Sequence, residues 1–153
     1  MASDYLLELD GVKGESDVVG YEGLIELESF SFGVSNPGSF AHGGGGGAGK
    51  ASFQDMHFTA RTTSASPLLK AHCATGKHLA SATLHVRKSG GKQEIYFMKV
   101  EMKEILVSSY GVIGTLDLGP DGPAGVVMDA VSLNFKINNV FEAQADPGTP
   151  GTP

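Results

Sequence analysis

The sequence predicts a mostly β protein: a small antiparallel β-barrel, or two packed sheets, with one short flanking α-helix and a long Gly-rich loop. Three observations lead there. About seven segments alternate apolar and polar residues with the period of half-buried strands. Only one segment carries helix start and stop signals. Gly and Pro clusters punctuate the rest. At 153 residues the chain suits a single core, with residues 1–142 as the folded domain and 143–153 as a disordered Pro/Gly/Thr tail.

In chain order, Tyr5, Leu7 and Leu9 alternate with Asp4, Glu8 and Asp10, and Leu6 alone interrupts the pattern. A polar loop follows Asp10-Gly11. Residues 24–34 read as a strand whose apolar parity slips, from Ile25 and Leu27 to Phe30, Phe32 and Val34. A bulge or sharp coil near Glu28-Ser29 would keep both sets on one face. The strand at 51–61 slips likewise, from Phe53 to Met56, Phe58 and Ala60. The helix has Ser66 as its expected cap, Pro67 in its first turn and Gly76 at its end. Ala82, Leu84 and Val86 then pass through a Lys88–Lys92 turn into Tyr96, Met98, Val100 and Met102. A separate strand is expected over about 105–116, turning a corner at Ser108-Ser109, and a loop over Leu118–Gly125. The last strand places Val127, Val131, Leu133, Phe135 and Ile137 on its core face.

Composition excludes several functions. The net charge of −6 disfavours a nucleic-acid groove or an acidic membrane surface. One cysteine, Cys73, excludes an intrachain disulfide framework. No signal peptide or transmembrane span is expected. The charge is segregated: residues 1–49 hold eight acids and one base, 50–103 three acids and nine bases, and 104–153 six acids and one base. Either oppositely charged strands neighbour each other inside the fold, or opposite faces favour head-to-tail association.

The run from His42 to Lys50 fits the frame G-x-x-x-x-G-K through Gly44, Gly49 and Lys50. A phosphate loop needs a hydroxyl next to hold Mg²⁺ and a helix N-terminus facing the phosphates. Here Ala51 follows, and then a strand. The segment reads instead as a long surface connection between strands. The five histidines, at 42, 57, 72, 78 and 85, form no compact ligand pair. Cys73 reads as an inert thiol in an apolar helix, and no G-x-S-x-G elbow is present. No catalytic residue, metal site or cofactor is expected. With Phe30, Phe32 and Val34 directed inward, Ser29, Ser31 and Gly33 point outward. Such a face suits close approach by another chain or a confined neutral lumen; an ordinary outer face is the alternative.

Several blocks together resemble the hemolysin-coregulated protein (Hcp) family, the inner-tube protein of bacterial type VI secretion. They are Leu9–Ser16, Ser29–Ser35, Gly47–Asp55, Ser66-Pro67, Cys73–His78, Ser108–Tyr110 and Val131–Phe135, in order over about residues 4–141. Phe30 and Phe32 stand where tryptophan is common in that family. The resemblance implies a non-enzymatic structural subunit forming hexameric rings that stack into a hollow, exported tube. Implied partners are further copies of the chain, a spike protein at the tip, a contractile sheath and small effector proteins in the lumen. The implied location is the bacterial cytoplasm before firing, then the exterior by a leaderless route. The loop holding Gly43, Gly44, Gly45, Gly46, Gly47 and Lys50 would reach between rings, and Ser29 and Ser31 would line the lumen. A stand-alone β-barrel binding or hydrolysing a small ligand is the alternative, and it would require one deep pocket with convergent polar groups.

Overall fold

The structure, a computed structural model, describes residues 3–36, 52–88 and 95–141. Its elements in order are β1 (Ser3–Leu9), β2 (Ile25–Leu27), β3 (Ser29–Ser31), β4 (Val34–Ser35), β5 (Ser52–Phe53), β6 (Met56–Arg61), α1 (Ser66–Thr75), β7 (His78–Lys88), β8 (Ile95–Gly119) and β9 (Gly122–Phe141). The Gly43–Gly47 and Lys50 candidates, most of the Lys88–Lys92 turn and the 143–153 tail lie outside the described residues.

Seven strands form one antiparallel sheet in the order β2-β1-β7-β8-β9-β6-β3, and β4 and β5 make a separate ribbon. The two ends of that order are adjacent in the chain. β2 pairs with β1, β3 pairs with β6, and only Glu28 separates them. Segment 25–31 therefore spans from one sheet edge to the other and curls the sheet into a barrel-like form without a closing ladder. This accounts for the slipped parity. Ile25 and Leu27 are buried, Glu28 donates its N–H to Thr59 O at 2.7 Å, and Phe30 then turns inward to meet Tyr5 of β1 edge-on at 5.0 Å. The second slip has the same origin: Gln54 and Asp55 separate β5 from β6, and Gln54 N–H donates to Gly33 O.

Alternating residues of β1, β6, β7, β8 and β9 fill the interior, with Phe58, Met56, Leu84, Ile105 and Leu133 fully enclosed. Leu6 interrupts the alternation of β1 because the other face of that strand is covered too. It is fully buried, level with His85 of β7, against which the loop residue Tyr21 lays its ring at 5.2 Å. Burial lowers the His85 pKa, a Glu8 carboxylate 3.6 Å away opposes the shift, and Lys99 and Arg87 add to it. A histidine depressed in the folded state stabilises the protein above its unfolded value of about 6.5 and loses that contribution as pH falls through the folded value. We expect the denaturation midpoint to drop below about pH 6.5, with His85→Gln flattening that limb. A variant retaining the full acid dependence would show that His85 is not its source.

Part of the charge segregation is met inside the fold. Acidic β1 lies beside β7, with Arg87 Nη1 3.5 Å from Asp4 Oδ2 and its guanidinium over the Tyr21 ring. Glu28 accepts from Arg61, and Glu8 lies 3.6 Å from His85. The plainer of the two expectations, neighbouring strands of opposite charge, holds for these pairs.

The helix needs one correction. Ser66 is not its cap but its first residue; Ala65 occupies the cap position and makes no side-chain cap bond. The Ser66 hydroxyl accepts from Thr63 N–H and donates to Asp129 instead. Pro67 and Gly76 stand as expected, the latter at φ 68° with its N–H on His72 O.

The largest departure lies in β8 and β9, which run for 25 and 20 residues. The expected break near 103–104 is absent because Glu104 takes φ 55°, the only left-handed non-glycine among the described residues. The buried set there changes from Val100 and Met102 to Ile105 and Val107 without ending the strand. Ser108 is the expected corner, marked by a register shift between Val107 and Ser109. The expected loop over 118–125 is also corrected: Leu118 pairs with Pro123 and Gly119 with Gly122, leaving only Pro120 and Asp121 in the turn. Beyond the ends of β6 and β7 the hairpin has no neighbouring strand, so a proline is tolerated as it is at any sheet edge. Val127, expected in the core, lies on this projecting arm and is 52 % exposed.

Candidate functional site: a neutral hydroxyl face

Four strands align into registered rows. Phe30, Phe58, Val131 and Tyr110 form an inward row across β3, β6, β9 and β8. On either side of it run two outward rows. One is Ser29, Thr59, Ala130 and Gly111; the other is Ser31, His57, Ser132 and Ser109. Alternation fixes this, since apolar Met56, Phe58 and Ala60 on β6 force His57 and Thr59 to the opposite face. The rows frame a shallow depression of about 250 Å³.

Sequence reasoning singled out Ser29 and Ser31, and the structure brings both together with six further small or polar residues. Ser29 and Thr59 hydroxyls lie 2.6 Å apart, as do His57 Nδ1 and Ser132 Oγ. His57, Thr59, Ser109 and Ser132 escaped sequence analysis, although the outward parity of β6 and β9 would have found all but Ser109, which lies on β8. Charge sits only at the margins: Asp55 at one end, Glu28 and Arg61 at the other. Asp55 is committed, accepting from Ser108 at 2.7 Å and Asn134 at 2.8 Å.

The His57–Ser132 contact is the only hint of nucleophile chemistry in this face. An activated serine needs its histidine oriented by a third group and a set of oxyanion donors. Asp55, the carboxylate at that end, gives its two oxygens to Ser108 and Asn134. What the face offers is a row of hydroxyls, each both donor and acceptor, without fixed charge. Such a surface can hold a protein by many adaptable contacts and release it. Among the described residues no group of three or more His, Cys, Asp or Glu is placed to hold a metal ion.

The fold matches Hcp1 from Salmonella typhimurium with a TM-score of 0.70 at 28% identity, covering 88% of this chain and 83% of that one. It also matches a structure described as a type six secretion system protein, with a TM-score of 0.78 at 25% identity over 91% of this chain and 83% of the other. The protein hcp1 of Pseudomonas aeruginosa is 37% identical over 135 residues, which are 88% of this chain and 80% of that protein. Residues 6–140 match the family described as "Type VI secretion system effector, Hcp". The chain belongs to that family.

Proposed function

We propose that the chain is a non-enzymatic subunit that assembles head to tail into hexameric rings, which stack into the hollow tube of the type VI secretion system. Its outward face of Ser29, Ser31, His57, Thr59 and Ser109 lines the lumen and holds small effector proteins during export. The observation that carries this reading is the pair of registered, uncharged outward rows in a chain of the Hcp family. A fixed charge in a confined channel would bind some cargoes too tightly and repel others, whereas hydroxyls do neither. The Gly43–Gly47 segment with Lys50 is assigned to contacts between rings. The two strands that flank it are held together by Val34–Phe53 and Ser35–Ser52 pairing, so both ends of that loop leave from one place. Further partners under this reading are the spike protein and the contractile sheath, and the tube leaves the cytoplasm on firing.

One imaging experiment tests assembly and orientation together. In a Cys73→Ala background, Ser31→Cys is labelled with a small maleimide–gold particle and the protein imaged by electron microscopy. We expect rings with an open centre and gold inside it. A strict monomer at high concentration would overturn the tube reading, and gold on the outer rim would overturn the lumenal assignment of Ser31.

A further inference from the structure

The arm formed by the distal halves of β8 and β9 continues the core face of the sheet into solvent. Val112, Leu116, Leu118 and Val127 share that face by register, and they are between 52 % and 78 % exposed. Together they make an apolar patch on the order of several hundred Å², the size at which exposed patches mark interaction sites. Gly114 stands opposite Val127 and Gly125 opposite Leu116, so side chain and glycine alternate as knobs and notches. Neither glycine has a positive φ, and a Cβ at either would meet nothing within 4 Å. Folding of the single chain does not require glycine there, although glycine weakens a strand. A second backbone or ring approaching the notches would require it.

We propose that this arm face docks on a second copy of the chain, at the exposed pair Val34 and Phe53. This rests on the tube reading above and names a surface for it. Two observations select the occupant. Val34 and Phe53 pair across the β4–β5 ribbon at 59 % and 50 % exposure, offering the apolar counterpart. They lie at the opposite end of the β6–β9 ladder from the arm: Phe53 touches Phe135 near the Met56–Leu133 pair, whereas the arm begins beyond Arg61–Met128. Patches at opposite ends make a heterologous, head-to-tail contact, the kind that closes rings or extends stacks. The apolar patch is smaller than the roughly 800 Å² per partner of a stable isolated pair. It therefore acts within a closed or repeating assembly, where each chain uses both patches.

The full-length protein tests this. Leu116→Asp and Val34→Asp alter exposed side chains, and Gly125→Val fills a notch that is open in the single chain. Each variant should retain the parental circular dichroism and melting temperature. In sedimentation each should need more than about tenfold higher concentration to assemble than the parent. In a Cys73→Ala background, Leu116→Cys and Phe53→Cys chains, mixed and oxidised, should give a disulfide-linked dimer that neither gives alone. If the variants assemble as the parent does, or the mixture gives no such dimer, the arm is covered by something else: this chain's own residues 37–51 or 142–153, or another protein. The inference then fails and the tube reading stands. A parent that stays monomeric overturns both.

Discussion

Asp129→Ala should lower the stability of the folded chain by about 3 kcal/mol, the upper end of what hydrogen bonds to a charged group contribute. For a chain of this length that corresponds to a fall in melting temperature of about 10 °C. Asp129 is 2 % exposed, and three hydroxyls converge on its carboxylate. Ser66, the first residue of α1, donates to Oδ2, while Thr62 and Tyr110 donate to Oδ1 at 3.0 and 2.9 Å. Burial and the bond to Asp129 both raise the Tyr110 pKa, so the phenol remains a donor at neutral pH and above. The carboxylate thus joins β9, the helix and the segment before it to β8, where the projecting hairpin leaves the body. Removing it strands the buried Ser66 hydroxyl and leaves those of exposed Thr62 and half-buried Tyr110 to find water. Asp129→Asn keeps one acceptor oxygen and the shape, so it should cost only about 1 kcal/mol. Urea midpoints at unchanged slope will separate the two. An alanine variant within about 0.5 kcal/mol of the parent would show that the hydroxyls find water or other partners.

That joint also shows where sequence reasoning stopped. The apolar period of β9 ran through Val131, Leu133 and Phe135, and Asp129 occupies an inward place in the same series. A carboxylate at a core position carries no visible partner in one dimension, because Ser66 and Thr62 are more than sixty residues away. The parity slip at Glu28 was legible for Ile25, Leu27 and Phe30, whereas Val34 and Phe53, read onto the same apolar face, are exposed on the β4–β5 ribbon. Ser29 and Ser31 emerged by the same logic. His57 and Ser132 were equally open to it, but their outward faces matter only once β3, β6 and β9 are known to be neighbours. The length of β8 was not legible, because Glu104 reverses the facing of the strand without ending it. Nor was the arm: Gly119, Pro120, Gly122, Pro123 and Gly125 carry the composition of a loop, and only the paired register shows that a hairpin can be built from them. Propensity speaks for a residue in an average setting, and a hairpin without sheet neighbours is not one.

Gly14→Ala should destabilise by about 3 kcal/mol, at the upper end of ordinary overpacking costs. Gly14 does not lie in the left-handed region, so its requirement is steric. A Cβ there would stand 2.4 Å from Leu24 O, 2.6 Å from Leu24 C and 2.7 Å from Ile25 Cα. All three are backbone atoms, so no rotamer change can relieve the clash. Nor can the two segments easily part. Gly14 N–H donates to Gly23 O at 2.7 Å, Gly23 N–H to Ser16 O at 2.9 Å, and Ser16 N–H to Leu24 O at 3.0 Å. The residues pressed against Gly14 lead directly into β2, whose pairing with β1 begins the bridge between the sheet edges. A displacement there loosens the curl of the sheet as well as the loop. Two other glycines calibrate the effect. Gly11 has φ 74° with open space around it, so alanine there should cost only the conformational penalty, about 1 kcal/mol. Gly125 has neither a positive φ nor a neighbour within 4 Å, so alanine there should leave the single chain about as stable or slightly more so. Denaturant midpoints in the order Gly14→Ala lowest, Gly11→Ala intermediate and Gly125→Ala at or above the parent would separate sterics, backbone strain and openness. Equal losses at positions 14 and 11 would mean that the loop moves aside, and that the bridge into β2 is softer than its hydrogen bonds imply.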